Sequence, residues 1–239
     1  MKSIIVDKRI NEETERSLLK LGFNVMKAPS FPGLPTAICS HPDSLFFRFK
    51  RRLFTYADYA ETALPLLSDI REYHRDINIH FVSDIPRSVY PEDTHLNALY
   101  INGRIFARRQ SISSAISELC KAEGMEIVNV RQGYPACSVL KLDEKSAVTA
   151  DKGMAKALSE NGIDTLTITE GGIELFPHEY GFIGGASFVF SGTAYFFGDL
   201  QKHPDGARIS DFIASKGLRA VSLGSGALTD LGGAVVFEN

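Results

Sequence analysis

Short apolar runs recur along the chain in a fixed relation to amphipathic stretches and to glycine. Ser3-Ile4-Ile5-Val6 ends at Asp7. Residues 12–21 follow with Leu18, Leu19 and Leu21 on one side, then Gly22 and a second apolar run at 23–26. The same joint reads AEGMEIVNV around Gly124, ENGIDTLTI around Gly162 and SKGLRAVSL around Gly217. Apolar positions three and four apart predict helices, and short apolar runs bounded by turn residues predict strands. A glycine at the end of a helix suits the positive φ that a C-terminal cap requires.

The pattern divides the chain into five units, at about residues 1–50, 51–103, 104–145, 146–193 and 194–239. Each is expected to run strand, helix, strand, loop, strand. The second unit fits least well: its helix, residues 60–74, lacks the glycine joint, and its third strand falls near 96–101. Units four and five match further, through Ile183-Gly184-Gly185-Ala186 and Leu231-Gly232-Gly233-Ala234. A unit of roughly 40 to 55 residues cannot bury its own apolar face, so neighbours must stack. A helix in every unit excludes an all-β propeller blade. The expected fold class is α/β: a five-bladed α/β propeller of strand-helix-strand-strand units around a central channel, forming a single domain over residues 1–239.

Composition narrows the setting. The 239 residues are 44% hydrophobic and 23% charged, as in globular proteins. A formal net charge of -3 argues against general nucleic-acid binding, which needs a basic excess. The one basic run, residues 48–52, reads as a solvated turn between units. Three scattered cysteines, Cys39, Cys120 and Cys137, are too few for a disulfide framework and suit reduced thiols. No apolar run approaches the ~18 residues of a membrane span, and the N-terminus lacks a signal-peptide core. A cytoplasmic protein without membrane contact is the expectation.

The stretches YPEDTHLNALYINGRIFARR, NVRQGYPACSVLKL, AVTADKGMAKAL, YGFIGGASF, YFFGDLQKHPDG and TDLGGAVVF span most of the chain from Tyr90 onward. Through them the sequence resembles an uncharacterised bacterial domain family of the pentein fold, also called the guanidino-group-modifying-enzyme (GME) fold. The resemblance implies a five-bladed α/β propeller and two destinies. One branch of the fold contains arginine deiminases, amidinotransferases and dimethylarginine hydrolases, with a Cys nucleophile, a His and acidic residues around a guanidinium. The other contains ribosome anti-association factors, which bind and catalyse nothing.

Guanidinium hydrolysis needs a thiolate to attack the central carbon, a His to move protons and carboxylates to hold the planar cation. The resemblance implies a His in the segment like Gly-Gly-Ala and a Cys in the last unit. Here Ala186 and Ser187 stand in the former, and the last unit has no Cys. A nucleophile must then be Cys137 or Cys39 in a non-homologous position; the catalytic candidates are Cys137 and, as its assistant, His95. The competing reading makes Cys137 a small buried hydrophobe at the start of a strand. Asp93, His95 and Asn97 alternate and share one side if the strand begins that early. With His41, Asp43, Gly184, Gly185 and Asp230, Asp93 and Asn97 complete the candidate ligand-binding set. Asp7, Asp58, Asp151 and Asp199 close first strands and read as helix caps or helix starts, as does Asp205 after His203. No recognised metal-ligand spacing and no phosphate loop is present, so neither a metal nor a cofactor is expected. The expected function is binding or hydrolysis of a small guanidino or amino compound in the central channel. The alternative is a non-catalytic binding or scaffold protein like the anti-association factors.

Overall fold

In the computed structural model, which describes residues 1–238, strand β1 (Lys2–Asp7) leads through helix α1 (Glu12–Lys20) to β2 (Phe23–Ala28). A single turn, α2 (Pro42–Leu45), opens into β3 (Phe46–Phe49), β4 (Arg52–Tyr56), α3 (Leu64–Tyr73) and β5 (Asn78–Val82). Next come β6 (Leu99–Ile101), β7 (Arg104–Ala107), α4 (Ser114–Glu123) and β8 (Glu126–Asn129). A second single turn, α5 (Pro135–Ser138), precedes β9 (Val139–Lys141), β10 (Ser146–Thr149), α6 (Lys152–Glu160) and β11 (Asp164–Thr167). The chain ends with β12 (Ile173–Glu174), β13 (Ser187–Phe190), β14 (Thr193–Phe196), α7 (Gly206–Ser215), β15 (Arg219–Ser222), β16 (Leu228–Thr229) and β17 (Val235–Glu238).

The strands form three-stranded sheets of one recurring order: β17-β1-β2, β3-β4-β5, β6-β7-β8, β9-β10-β11 and β13-β14-β15. In each, the first pair is antiparallel and the second is parallel, joined through a helix. The first sheet ties the two ends of the chain together, with Ile4 opposite Val236. A short parallel pair, β12 with β16, adds a sixth sheet among the described residues. The middle strands β10 and β14 are buried at every position, as parallel pairing beneath a helix demands. Helix starts are set by side-chain caps: Asn11 accepts from Thr14 N at 2.8 Å, and Asp151 from Met154 N at 2.8 Å. No helix among the described residues is long and apolar enough to cross a membrane.

The edge strands β3, β6, β9, β13 and β17 share one task. Phe47, Tyr100, Leu140, Phe188 and Val236, one from each, line a single cavity of about 590 Å³ with Arg48, Lys50 and Lys141 beside them. At its inner end α2, α5 and the two Gly-Gly segments meet through their backbones. Gly185 N donates to the Cys137 carbonyl at 2.8 Å, Leu231 N and Gly233 N donate to the Gly185 carbonyl, and Asp43 N donates to that of Gly232. The glycines make this approach feasible. A Cβ on Gly185 would overlap Asp230 and come within 2.6 Å of Cys137 Sγ; Gly232 has φ +67°, and a Cβ there would overlap His41.

Several expectations change in detail. The third strands of units one and three are shortened at their starts because Pro42 and Pro135 begin helical turns, where proline's fixed φ is favoured. The strand expected from residue 96 begins at Leu99, so Asp93, His95 and Asn97 occupy a turn closed by Thr94 N to Pro91 O and Asn97 N to Thr94 O. The third strand of each expected unit pairs not with its own unit but with the next one, as β3 does beside β4 and β17 beside β1; the sheet that holds most of the second unit, expected to fit least well, has the same order as the others. Asp205 occupies the cap position of α7 without a capping bond; its carboxylate instead accepts from Thr169 N and Arg208 Nη1, each at 2.6 Å.

Two predictions follow from these contacts. Gly185→Ala should lower unfolding stability by about 1–3 kcal/mol, the usual cost of overpacking, read from the urea midpoint. The bonds from Thr169 and Arg208 pull the Asp205 pKa down from 3.8 to about 2. The stabilisation is therefore complete above about pH 4 and lost as pH falls toward about 2. In urea titrations across that window, wild type should lose stability more steeply than Asp205→Asn; parallel slopes would refute this.

Candidate functional site

Pro135 starts the turn that carries Cys137, and Pro42 starts the turn that carries Asp43, with His41 just before it. Both turns point into the crossing of the Gly-Gly segments, and Asp230 enters from the segment before Gly232. The result is a buried cluster. The Cys137 thiol lies 3.3 and 3.4 Å from the two carboxylate oxygens of Asp230 and donates to that group. Asp230 also accepts from Phe182 N at 2.8 Å and Gly232 N at 3.0 Å. His41 Nδ1 lies 3.8 Å from Asp230 Oδ1, and Nε2 lies 3.8 Å from Asp7 Oδ2. Those separations exceed a hydrogen bond, and among the described residues neither ring nitrogen of this fully buried histidine has a partner.

The electrostatics are lopsided. Burial pushes the Cys137 thiol well above its ordinary range, and the charges of Asp230 and Asp43 push it further. Burial likewise raises the Asp43 carboxyl, with the His41 charge opposing and that of Asp230 adding. Asp43 Oδ2 is buried without a partner. Burial also acts upward on Asp7, but the Arg9 hydrogen bonds and the nearby His41 outweigh it and hold the Asp7 carboxyl below its usual range. Arg9 forks onto both Asp7 oxygens, at 2.9 and 2.6 Å, and Ser40 adds a bond at 2.8 Å.

The cluster forms a wall between two cavities. Asp43 and Gly184 face the one lined by the edge strands. His41, Cys137 and Asp230 face a second, of about 520 Å³, whose other walls include Tyr90, Asp93, Tyr134, His178, Glu179 and Tyr180. Asp93 is held by the Tyr134 hydroxyl, which donates to Oδ2 at 2.6 Å; burial raises its carboxyl, the Tyr134 bond opposing. Its Oδ1 is buried and without a partner. A thiol, an imidazole and carboxylates that face one cavity can hold a cation, pass a proton or bind a metal ion.

The structure brings Cys137, His41, Asp43, Asp230 and Gly185 together, with Asp93 across the second cavity. His95 does not join them: its Nδ1 lies 2.6 Å from the Ser111 carbonyl, so the histidine beside Cys137 is His41. Asn97 supports the site from outside, its Oδ1 accepting from Ala136 N at 2.9 Å. In the sequence Asp7 reads as a helix cap or start because its place at the end of β1 matches that of Asp151, a true cap; Asn11 caps α1 instead, and Asp7 joins the cluster. Tyr134 stood in the Gly-Tyr-Pro-Ala-Cys motif, but its bond to Asp93 spans 41 residues and carries no local signal. Cys120 packs in the core beneath α4, and Cys39 is half-buried with Sγ 3.3 Å from Ser30 Oγ.

No curated protein matches the chain. Solved structures do, at low identity. A dimethylarginine dimethylaminohydrolase, solved as an adduct with S-methyl-L-thiocitrulline, superposes with a TM-score of 0.60 at 8% identity, over 98% of this chain and 99% of the other. The dimethylarginine dimethylaminohydrolase of Pseudomonas aeruginosa, complexed with citrulline, gives 0.57 at 11% identity over 98% of each chain. An inosamine-phosphate amidinotransferase from Streptomyces griseus gives 0.57 at 11% identity, over 97% of this chain and 90% of the other. At such identities the likeness concerns the fold, and it is the pentein fold that the sequence motifs resembled. The model of a family of unknown function, DUF6873, matches residues 5–235, and the chain belongs to that family.

Proposed function

We propose that the protein is a closed five-bladed α/β propeller whose second cavity binds a small guanidino or amino cation. Closure is supported by the five sheets of one order, by β17 pairing with β1 and by the five edge strands that line one cavity. Ligand binding rests on one observation above others: Asp230, Asp93 and Glu179 face a single cavity whose walls also carry three tyrosines. Carboxylates accept paired N–H bonds from a planar cation, and aromatic faces attract its charge. The pentein enzymes act on guanidino compounds, which supports the same ligand class here. Three free cysteines suit a reducing compartment and hence the cytoplasm.

Binding is the leading reading because burial and two carboxylates keep the Cys137 thiol protonated. Hydrolysis is the second reading, favoured by the presence of His41 and Cys137 in the same wall. In it, the thiol proton passes to His41 as sulfur bonds to the guanidinium carbon. The leaving amine takes a proton from His41, and water then releases the product and restores the thiol.

A thermal-shift screen of guanidino compounds and diamines tests binding, since a ligand of the folded state alone raises Tm by mass action. At a hundred times Kd the gain is about 2.7 kcal/mol. The shift should vanish in Asp230→Asn and shrink in Asp93→Asn. A complete absence of shifts would favour the scaffold alternative. Product release by wild type but not by Cys137→Ala would establish hydrolysis through Cys137; release undiminished in Cys137→Ala would exclude Cys137 as the nucleophile.

A further inference from the structure

We propose that His41, Cys137 and Asp230 form a binding site for a divalent transition-metal ion, zinc above all, in the wall of the second cavity. The three residues come from separate parts of the chain, and one donor atom of each lies within 4.8 Å of the other two. The spacing is that of a coordination shell. Zinc bonds of about 2.3 Å to sulfur and about 2.0 Å to nitrogen and oxygen put tetrahedral neighbours about 3.3–3.5 Å apart. Cys137 Sγ stands 3.3 and 3.4 Å from the Asp230 oxygens, and His41 Nδ1 stands 3.8 Å from Oδ1. To complete the shell, the imidazole must close by about 0.5 Å on Asp230 and by up to about 1.3 Å on Cys137 Sγ, which lies within 4.8 Å of it.

A second observation points the same way. His41 is fully buried, yet neither ring nitrogen has a hydrogen-bond partner among the described residues. Such a group carries a desolvation cost, and a metal at Nδ1 removes the part due to that nitrogen. The outer groups stand close to the required places, with Nε2 3.8 Å from Asp7 Oδ2. Nε2 faces Asp7, the carboxylate partner that a metal-bound histidine usually has, and Arg9 and Ser40 hold Asp7 in place. Asp230 keeps its bonds from Phe182 N and Gly232 N, which orient it toward the ion.

The donor set selects the metal. One thiolate, one imidazole and one carboxylate match zinc, whereas magnesium and calcium prefer oxygen alone. Three protein ligands leave a fourth position, which faces the cavity and suits water or a ligand atom. On binding, the thiol proton leaves to bulk water and sulfur coordinates as thiolate.

The test uses the full chain, stripped with chelator and titrated with Co²⁺ and then Zn²⁺. One Co²⁺ per chain is expected, with a thiolate-to-cobalt charge-transfer band and the strong visible bands of a tetrahedral site, all abolished by Zn²⁺. Cys137→Ala and His41→Gln should weaken binding at least about 100-fold, beyond the 10–100-fold cost of losing an outer-shell partner; Cys39→Ala should leave it unchanged. A second readout follows stability: Zn²⁺ should raise the Tm of wild type and of Cys39→Ala by mass action, but not that of Cys137→Ala. Absence of the charge-transfer band from wild type, its persistence in Cys137→Ala, or a Zn²⁺-induced rise in Tm undiminished in Cys137→Ala would overturn the site. No organic ligand enters the experiment, so its outcome is independent of the guanidino screen.

Discussion

The carboxylate of Asp230 is the interaction on which the centre of this molecule depends. It accepts from Phe182 N, Gly232 N and the Cys137 thiol, and so joins segments that are far apart in the chain. A buried carboxylate is tolerated only when its lone pairs are used. Here the bonds that satisfy it also fix where the two Gly-Gly segments cross. Gly185 sits so close that a methyl group would overlap the carboxylate, and Gly232 is pressed against His41 in the same way. The glycines therefore serve the polar cluster more than they serve the sheets.

Most of this centre is satisfied, and the exceptions are informative. Asp7 has Arg9 and Ser40; Asp230 has two amides and a thiol. His41, Asp43 Oδ2 and Asp93 Oδ1 are buried without partners. Natural proteins leave few such groups, and local rules fail mainly where function intervenes. All three belong to the wall between the cavities or to the second cavity itself. They hold four of the nine buried, unpartnered side-chain atoms among the described residues; others, such as Thr14 Oγ1 and His203 Nε2, lie away from the two cavities.

The strand-helix-strand pattern was legible because it is local. The apolar runs of β1, β10 and β14, the caps at Asp151 and Ser113 and the glycine after α4 each depend on a few neighbouring residues. The single turns α2 and α5 were less legible, since four residues carry no period; only Pro42 and Pro135 marked them. The site was legible in membership but not in pairing. Cys137, His41, Asp43 and Asp230 were all candidates, yet the alternation of residues 93, 95 and 97 drew His95 toward Cys137. The turn closed by Pro91 and Thr94 places His95 on the Ser111 carbonyl instead.

That outcome bears on how chemistry can move within a repeated fold. The last unit lacks a cysteine, and the fourth unit has Ala186 and Ser187 where the resemblance would place a histidine. The thiol and imidazole beside Asp230 come from the third residue of α5 and from the residue before α2, two turns that each open an edge strand. The turns α2 and α5 lead from different sheets toward one centre, so side chains distant in the chain meet at Asp230. Reading such a chain against a fixed motif finds a missing cysteine and histidine. Following the approach of α2 and α5 to Asp230 finds both, in a wall whose carboxylates favour holding a cation over generating a free thiolate.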